Sequence, residues 1–418
     1  MQKKLHSGHP VTPPRGGWRG ASLGNTTKNS SPQYSRGLQP DGFDQNTGEV
    51  TTIDPQLARA NRWALKSVVN RILPDTRTAK CMVYRAPIAG QVLGDIQIMK
   101  GIHQKAFYQG LMRCGSVWSC PICASKVSER RRPELKDAIQ SGKDQGMAVH
   151  FVSLTIPHGV GDDINVLNDR LSKALKRMSS GKYSVKNQLR ALLPDAEIYG
   201  YIRALEVTHG KNGFHPHYHL LVFTNGSVDV SVIGYIYGKA WKRACTLSDL
   251  PEPSDEHGCI VKDGLFASNY VSKWGLEDEM TKANAKVGKT KGLSPWGLLR
   301  AALDGDNPDY PPQRAEALFK VYAAAFAGRR QLFWSVGLRK LLELSSELTD
   351  EELAAQAEDE RASVLATLTI WQWRAIRSAK QEAHLLTVAE SAPALLVQVI
   401  DRLVEQHKRR PPRSNTRS

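Results

Sequence analysis

The chain has 418 residues, of which 41% are hydrophobic and 23% are charged, a composition typical of a globular protein with roughly two or three domains. Its 57 Lys and Arg residues outnumber its 41 Asp and Glu residues, so the net charge is +16. This surplus favours a polyanionic partner, nucleic acid first and an acidic membrane surface second. No segment reaches the ~18 uninterrupted apolar residues of a membrane span, and no apolar signal core opens the chain. We therefore expect a cytoplasmic protein with no membrane partner.

The N-terminal segment, residues 1–50, is rich in Ser, Gly, Pro, Asn and basic residues and contains few large apolar ones. That composition predicts a disordered basic arm, which is either an inert tail or a loose contact with DNA. Residues 55–73 then place apolar side chains at helical spacing and predict an amphipathic helix. We assign residues 51–143 to this helix and to a zinc-binding region.

Four cysteines define that zinc-binding region. Cys120 and Cys123 form Cys-Pro-Ile-Cys, Cys114 lies six residues earlier, and we place Cys81 on a preceding strand. In a reducing compartment such thiols predict a closed tetrahedral Zn²⁺ site, which supplies folding energy rather than chemistry. A redox Cys-x-x-Cys motif and unrelated free thiols are the alternatives. A redox motif should open a helix within a βαβ unit, whereas Cys123 runs directly into Ala-Ser-Lys-Val-Ser-Glu.

Basic residues follow the cysteines. Arg130, Arg131 and Arg132 begin a basic helix and are candidates for DNA contacts, although a solvated charged face explains the same pattern.

The central region reads as strand, helix, hairpin and helix. Residues 147–157 predict a strand, residues 167–178 and 232–240 have helical apolar spacing, and a hairpin lies between these helices. This order predicts an α+β domain at residues 144–300, with an antiparallel sheet and flanking helices.

The hairpin carries the first candidate site. Asn212-Gly213 predicts a two-residue turn that places Glu206 opposite His219 and Thr208 opposite His217. Because side chains alternate along a strand, Glu206, His217 and His219 then share one sheet face. One carboxylate and two imidazoles at one place suit a divalent cation with positions left open for substrate. The alternative is that both histidines are ordinary half-buried strand residues.

Two neighbouring histidines fit this site less well. His209 has the wrong parity and is expected on the other face. His215 has the right parity but sits beside the turn, before Pro216, so it is a weaker candidate ligand.

The second candidate site lies on a short helix predicted at residues 264–274. Tyr270 and Lys273 are three residues apart and share a helix face. A tyrosine hydroxyl can attack phosphorus and form a phosphotyrosine, and a nearby lysine can lower the phenol pKa or hold the phosphate. Phe266, Tyr270 and Trp274 are also spaced as an aromatic core stripe, which is the alternative.

The remaining chain is basic and then helical. Lys286, Lys289 and Lys291 predict a basic loop near the substrate path. Residues 301–418 predict a mainly helical region with a basic tail, in which Leu365, Leu368, Trp371 and Ile376 mark a buried face.

These segments together resemble a known family. Phe151-Val-Ser-Leu-Thr-Ile156, His215-Pro-His-Tyr-His-Leu-Leu-Val222 and Tyr270-Val-Ser-Lys273 resemble, in this order, the three motifs of the plasmid rolling-circle replication initiators (Rep) of the HUH endonuclease superfamily. Cys114–Cys123 and Gly328–Leu338 also look familial, so the resemblance covers roughly residues 80–340.

The resemblance implies an HUH nuclease-like fold and metal-dependent nicking and strand transfer at an origin. In that mechanism Mg²⁺ or Mn²⁺ on His217, His219 and Glu206 polarises the scissile phosphate. Tyr270 attacks and keeps the 5′ phosphate, which frees a 3′ hydroxyl, while Lys273 orients the phosphate or assists the tyrosine. The implied partners are single-stranded and double-stranded origin DNA and a host helicase and polymerase, with a homodimer as an open arrangement.

One position departs from the family pattern. Some relatives carry a glutamate four residues before the tyrosine, which activates water for termination, but Phe266 occupies that position here. Termination would then use another acid, for which Asp263 is a candidate, or a tyrosine from a second protomer.

Two other functions stay open. A relaxase or single-strand transposase of the same superfamily would use the same chemistry, although relaxases commonly place the tyrosine before the histidine motif. A non-catalytic, zinc-containing DNA-binding protein would keep Tyr270 as a core aromatic.

Overall fold

A computed structural model of the chain describes residues 54–87, 94–273, 292–356 and 358–409, with only the backbone described at residues 272 and 273. The basic arm predicted at residues 1–50, the loop lysines Lys286, Lys289 and Lys291, and the tail beyond residue 409 lie outside the described residues.

Several of the described helices begin where the sequence supplies a capping side chain; for example, Asp163 and Asp229 accept hydrogen bonds from the first-turn amides of the helices that follow them. In chain order these helices are α1 (Pro55–Ile72), α2 (Arg77–Lys80), α3 (Pro121–Asp144), α4 (Ile164–Ser179), α5 (Val185–Leu192), α6 (Val230–Thr246), α7 (Gly264–Lys273), α8 (Pro295–Asp304), α9 (Pro312–Phe326), α10 (Leu338–Leu341), α11 (Asp350–Ala355), α12 (Ile370–Ser378), α13 (Glu382–Ser391) and α14 (Leu396–Lys408).

The strands form two antiparallel sheets. They are β1 (Ile96–Lys100), β2 (Ala106–Gln109), β3 (Met147–Leu154), β4 (Ile198–Gly210), β5 (Gly213–Asn225), β6 (Cys259–Lys262), β7 (Leu332–Trp334) and β8 (Ser363–Leu368). One sheet has the order β6-β3-β5-β4-β7 and the other the order β2-β1-β8, and the strand pairs in both sheets run antiparallel.

Helices cover both faces of the five-stranded sheet. On one face Phe151 and Phe223 share an apolar cluster with residues of α3 and α7. On the opposite face Val152 and Tyr218 pack into the larger core with residues of α4 and α6. The predicted α+β fold, an antiparallel sheet with flanking helices, is therefore confirmed.

The hairpin register differs from the prediction. Gly210 pairs with Gly213, so the turn consists of Lys211 and Asn212 rather than Asn212 and Gly213. The physical reason lies at Gly213, whose φ of +87° places the left-handed residue at the start of β5, after the turn. Glu206 consequently faces His217, not His219.

Two further expectations need correction. Cys81 does not lie on a strand but directly follows the short helix α2. Residues 363–368, predicted as part of a buried helical face, form β8, because their backbone pairs with β1.

The described residues of the C-terminal region, from 301 to 409, are mainly helical, as predicted, and also contain the two strands β7 and β8. Trp371, predicted to be buried, is 65% exposed. Thr369 caps α12, and the helix then turns Trp373 and Ile376 inward. None of the described helices combines the length and apolarity needed to cross a bilayer. The domain boundaries predicted after residues 143 and 300 stay predictions.

Candidate metal and catalytic site

The β4–β5 hairpin brings one carboxylate and two imidazoles together. Nε2 of His219 lies 3.4 Å from Oε2 of Glu206, and Nε2 of His217 lies 3.6 Å from the same oxygen. The three donor atoms lie within 4.8 Å of one another, and all three residues are half-buried. A carboxylate oxygen and two imidazole nitrogens at this spacing fit a divalent cation with positions left open toward solvent.

Both imidazole rings have a polar partner at Nδ1, the nitrogen away from the shared centre. Nδ1 of His217 donates to the His215 carbonyl at 3.1 Å, and Nδ1 of His219 lies 2.9 Å from the Ser153 hydroxyl. A carbonyl only accepts, so the proton of His217 sits on Nδ1 and the lone pair of Nε2 points to the shared centre. Such contacts fix the ring orientation that metal ligands require.

The charges of the cluster are mutually stabilised. Burial raises the pKa of Glu206, but hydrogen bonds and positive charge from His217 and His219 outweigh it and hold that pKa well below its usual value. Burial lowers the pKa of His217, but the Glu206 carboxylate outweighs it and raises the pKa overall. The site therefore carries a carboxylate at neutral pH.

Helix α7 brings Tyr270 to this cluster. Its hydroxyl donates a short hydrogen bond to Oε1 of Glu206, the oxygen not shared with the histidines. Its ring lies 5.2 Å from the His219 ring and 4.6 Å from the Phe151 ring. Burial and then the charge of Glu206 raise the pKa of Tyr270 well above its usual value, so the hydroxyl is a neutral phenol here.

The aromatic-stripe alternative is partly realised as well. Phe266 and Tyr270 both pack against Phe151, which stacks on His219 at 5.0 Å. Packing and hydroxyl contact are thus combined in one residue: the Tyr270 ring belongs to the cluster under α7, while its hydroxyl reaches the donor triad.

Three other predicted positions lie around α7. Lys273 ends the helix, but its side chain is outside the described part of the chain, as is Trp274. Asp263 accepts a hydrogen bond from the Phe266 amide at 3.0 Å and so acts as a cap for α7.

The other hairpin histidines fall where parity places them. His209 is buried on the opposite face, with Nδ1 3.1 Å from the Tyr310 hydroxyl. His215 lies beside His217, with ring centres 5.0 Å apart, and is not one of the three clustered donors.

The four predicted cysteines meet in a second cluster. Cys81, Cys114, Cys120 and Cys123 are all buried. Their Sγ atoms lie 3.5 Å apart for Cys81 and Cys123, and 3.7 Å apart for Cys114 and Cys123 and for Cys81 and Cys120. Disulfide sulfurs lie about 2 Å apart, whereas tetrahedral Zn–S bonds of about 2.3 Å separate sulfurs by about 3.8 Å. This cluster fits a metal bound by four thiolates.

The basic residues of α3 are engaged within the protein. Arg131 is buried and forms ion pairs with Glu134 at 3.0 Å and Asp350 at 3.4 Å. Arg130 donates to the backbone and side chain of Gln356. A DNA contact for these two residues and for Arg132 stays a prediction.

Sequence reasoning missed Ser153 and Phe151 as members of the site. Both lie on β3, where Ser153 pairs directly with His219. The signal was available in principle, because residues 151 and 153 alternate on one face of a strand next to β5. What was lacking was the order of the strands in the sheet.

Comparisons with known proteins agree with the motifs. The profile of the family described as "Replication protein" matches residues 109–246, which include three of the clustered cysteines and the whole hairpin. "Protein rep" of Streptomyces lividans is 27% identical over 330 residues, which cover 63% of this chain and 72% of that protein. Over these stretches the chain is similar to replication proteins. The resemblance to plasmid replication initiators is thereby confirmed.

Other relatives match over shorter stretches. "Neomycin resistance protein" of Streptomyces cyanogenus is 28% identical over 140 residues, 29% of this chain and 32% of that protein. "Protein rep" of Lentilactobacillus hilgardii is 25% identical over 155 residues, 34% of this chain and 46% of that protein. This chain therefore spans less than half of these two relatives. No solved structure matches it significantly.

Proposed function

We propose that this replication protein initiates plasmid rolling-circle replication by nicking one strand of its origin, with Tyr270 as the nucleophile. The observation that carries the proposal is the hydrogen bond from the Tyr270 hydroxyl to Glu206, inside a carboxylate–histidine triad suited to a divalent cation. Nothing in a core aromatic stripe requires that contact.

The proposed nicking reaction needs residues that bind the metal ion and residues that orient the nucleophile. Glu206, His217 and His219 would hold Mg²⁺ or Mn²⁺, which would polarise the scissile phosphate and favour the ionised phenol. Glu206 also orients the Tyr270 oxygen through Oε1. Ser153 and the His215 carbonyl keep the imidazole Nε2 atoms directed at the centre. Phe151 packs against the tyrosine ring and would shield that side of it from water.

The proposed step conserves atoms and charge. The Tyr270 hydroxyl gives its proton to solvent and its oxygen bonds to phosphorus, while the bond from phosphorus to the 3′ oxygen breaks. The DNA leaves a 5′-phosphotyrosine on the protein and a free 3′ hydroxyl, which takes up a proton and primes a host polymerase. Lys273, one turn after Tyr270 on α7, is proposed to hold the transferred phosphate.

Several accompanying roles are proposals of the same kind. The cysteine cluster would hold structural Zn²⁺, and a host helicase would open the duplex ahead of the polymerase. Asp263 caps α7, so we favour a second tyrosine attack, from another protomer, for termination. We expect this work to take place in the cytoplasm.

A nicking assay tests the proposal. Purified protein is mixed with Mn²⁺ and labelled single-stranded oligonucleotides tiled over the replicon that carries the gene, and the products are resolved on a denaturing gel and by mass spectrometry. We expect a covalent adduct on the Tyr270 peptide that EDTA, Tyr270→Phe and His217→Ala each abolish.

Tyr199→Phe is the matched control, because Tyr199 is an exposed tyrosine on the same sheet and outside the triad. Adduct formed by Tyr270→Phe would exclude Tyr270 as the nucleophile. Tight DNA binding without any adduct would indicate a non-catalytic DNA-binding protein.

A further inference from the structure

The sheet face opposite the donor triad carries a different kind of surface. Tyr218 lies between His217 and His219 on β5, and its side chain points away from theirs. Its hydroxyl lies 3.3 Å from the Ser172 hydroxyl on α4. From α6, the Trp241 indole donates to the Thr155 carbonyl at 2.8 Å. Helices α4 and α6 therefore cover the face remote from Tyr270, and α5 packs beside them.

These three helices and the turn between α4 and α5 are strongly basic. Residues 164–192 and 230–246 contain ten Lys and Arg residues and a single acidic residue, Asp169, which pairs with Arg329 at 2.8 Å. Glu197 pairs with Lys186 and Arg190, and Asp255 with Lys242. Within the described part of the chain, the others have no acidic partner: Arg170, Lys173, Lys176, Arg177, Lys182, Lys239 and Arg243.

Two exposed tyrosines are interleaved with these cations. Tyr235, Lys239 and Arg243 follow one another at four-residue intervals along α6, so they form one ridge about 12 Å long. The Lys239 ammonium lies 5.9 Å from the centre of the Tyr235 ring, and the Arg243 guanidinium lies 3.9 Å from the centre of the Tyr183 ring. Tyr235 is 63% exposed and Tyr183 is 51% exposed.

A basic surface attracts any polyanion, but exposed aromatic rings favour one kind. The bases of a duplex stack on one another, whereas the bases of a single strand are free to stack on aromatic side chains between phosphate-binding cations. We propose that the α4–α5–α6 surface binds single-stranded DNA, with phosphates at the basic residues and bases at Tyr183 and Tyr235. This second strand segment would lie on the side of the sheet opposite the segment at Tyr270.

The position of the α4–α5–α6 surface suggests which segment of DNA binds there. A strand held at Tyr270 occupies the triad face, so the opposite surface is available to the strand displaced during replication. That assignment rests on the proposed function, but binding of single-stranded DNA to the ridge does not, because it requires neither the metal nor the tyrosine nucleophile.

Fluorescence anisotropy with a labelled oligothymidine of about 16 nucleotides tests the surface on the full chain. EDTA is present throughout, so the donor triad contributes no metal-bridged contact. We expect the double variant Tyr235→Ala/Arg243→Ala to bind about tenfold more weakly, since one lost stacking contact is worth a factor of this order. The dependence of binding on salt should also become shallower. Thermal unfolding of the variant establishes that it is folded.

The chain offers a matched control. Trp371 and Arg374 on α12 form another exposed aromatic–cation pair, 5.4 Å apart. Trp371→Ala/Arg374→Ala should bind oligothymidine like the wild type, and Tyr235→Phe should retain binding because the ring remains.

Three results would overturn the proposal: unchanged affinity in the ridge variant, an equal loss in the α12 variant, or a loss seen for duplex DNA alone. The adduct assay separates this surface from the proposed nicking, because the ridge variant should still form the Tyr270 adduct on a short oligonucleotide. If neither the wild type nor the ridge variant formed an adduct, the result would count against the proposed nicking activity. Loss of oligothymidine binding in the ridge variant would still support the surface proposal.

Discussion

The two donor clusters of this protein differ in how they are closed. The cysteine cluster has four fully buried sulfur donors, each placed at or next to the end of a helix or in a loop. The carboxylate–histidine triad has three half-buried donors on two paired strands of one hairpin. A tetrahedral ion in the first cluster would have no position left for substrate, whereas the second leaves positions open.

This difference suits the cysteine cluster to a structural role and the carboxylate–histidine triad to a chemical one. The cysteines come from three separate stretches of sequence, at residue 81, at residue 114 and at residues 120–123, so a metal there would stabilise the region between Cys81 and α3. The triad is built on a hairpin that the rest of the sheet already supports, so its geometry does not depend on the metal. The predictions below test this contrast.

The largest expected effect comes from opening the cysteine cluster. We expect Cys123→Ala to lose bound zinc and to lose several kcal/mol of unfolding free energy, because structural zinc sites contribute about 10 kcal/mol of binding free energy or more. Metal analysis and chemical denaturation measure both quantities. Cys245→Ala removes a buried thiol outside the cluster and should leave the zinc content unchanged. Full zinc occupancy in Cys123→Ala would contradict the closed-site assignment.

The opposite behaviour is expected of the triad. His219→Ala should abolish adduct formation while the unfolding midpoint stays close to that of the wild type, since His219 is half-buried and the hairpin keeps its backbone pairing. The loss of Mn²⁺ affinity should exceed the about 10- to 100-fold expected for an outer contact. A strongly destabilised His219→Ala would remove the contrast between the two clusters.

A smaller effect on Mn²⁺ affinity is expected from Ser153, which contacts the triad residue His219. Ser153→Ala removes the hydroxyl that lies 2.9 Å from Nδ1 of His219, and we expect Mn²⁺ affinity to fall about 10- to 100-fold. Isothermal titration calorimetry measures the affinity. Ser153→Thr keeps the hydroxyl in a strand position that accepts a β-branched residue, and it should bind Mn²⁺ like the wild type. Equal losses in both variants would point to packing instead of the hydrogen bond.

The smallest effect concerns pH, where two carboxyl groups behave oppositely. The histidines hold the pKa of Glu206 low, whereas burial raises the pKa of Glu382, at the start of α13, to about 7. A raised folded-state pKa stabilises the protein below the unfolded value of 4.5, and that contribution is lost as pH rises through about 7. We expect urea-unfolding free energy to decrease between pH 5 and pH 8, approximate limits set by this shift.

Glu382→Gln should flatten that decrease, because the amide does not ionise. Glu405→Gln is the control, since Glu405 is exposed and its pKa is lowered by the hydrogen bond to Lys408. An unchanged slope in Glu382→Gln would show that another group titrates over this range.

The sequence placed the three triad donors on one sheet face even though the predicted hairpin register was wrong. The predicted turn was displaced by one residue, and the partner of Glu206 was wrong. The three donors nevertheless share a face, because the displacement changed the pairing by two residues and side chains alternate with a period of two. Local patterns of this kind also identified the cysteines and the helix that carries Tyr270.

Only the tertiary structure decided which of these local elements contact one another. Tyr270 reaches Glu206 across 64 residues, and Ser153 reaches His219 across 66 residues. Strand β8 pairs with β1 from the other end of the chain. The alternation within a strand or helix follows from backbone geometry and is written in the sequence nearby. Strand order and helix docking depend on how all the apolar faces are buried together, and no single stretch of sequence contains that information.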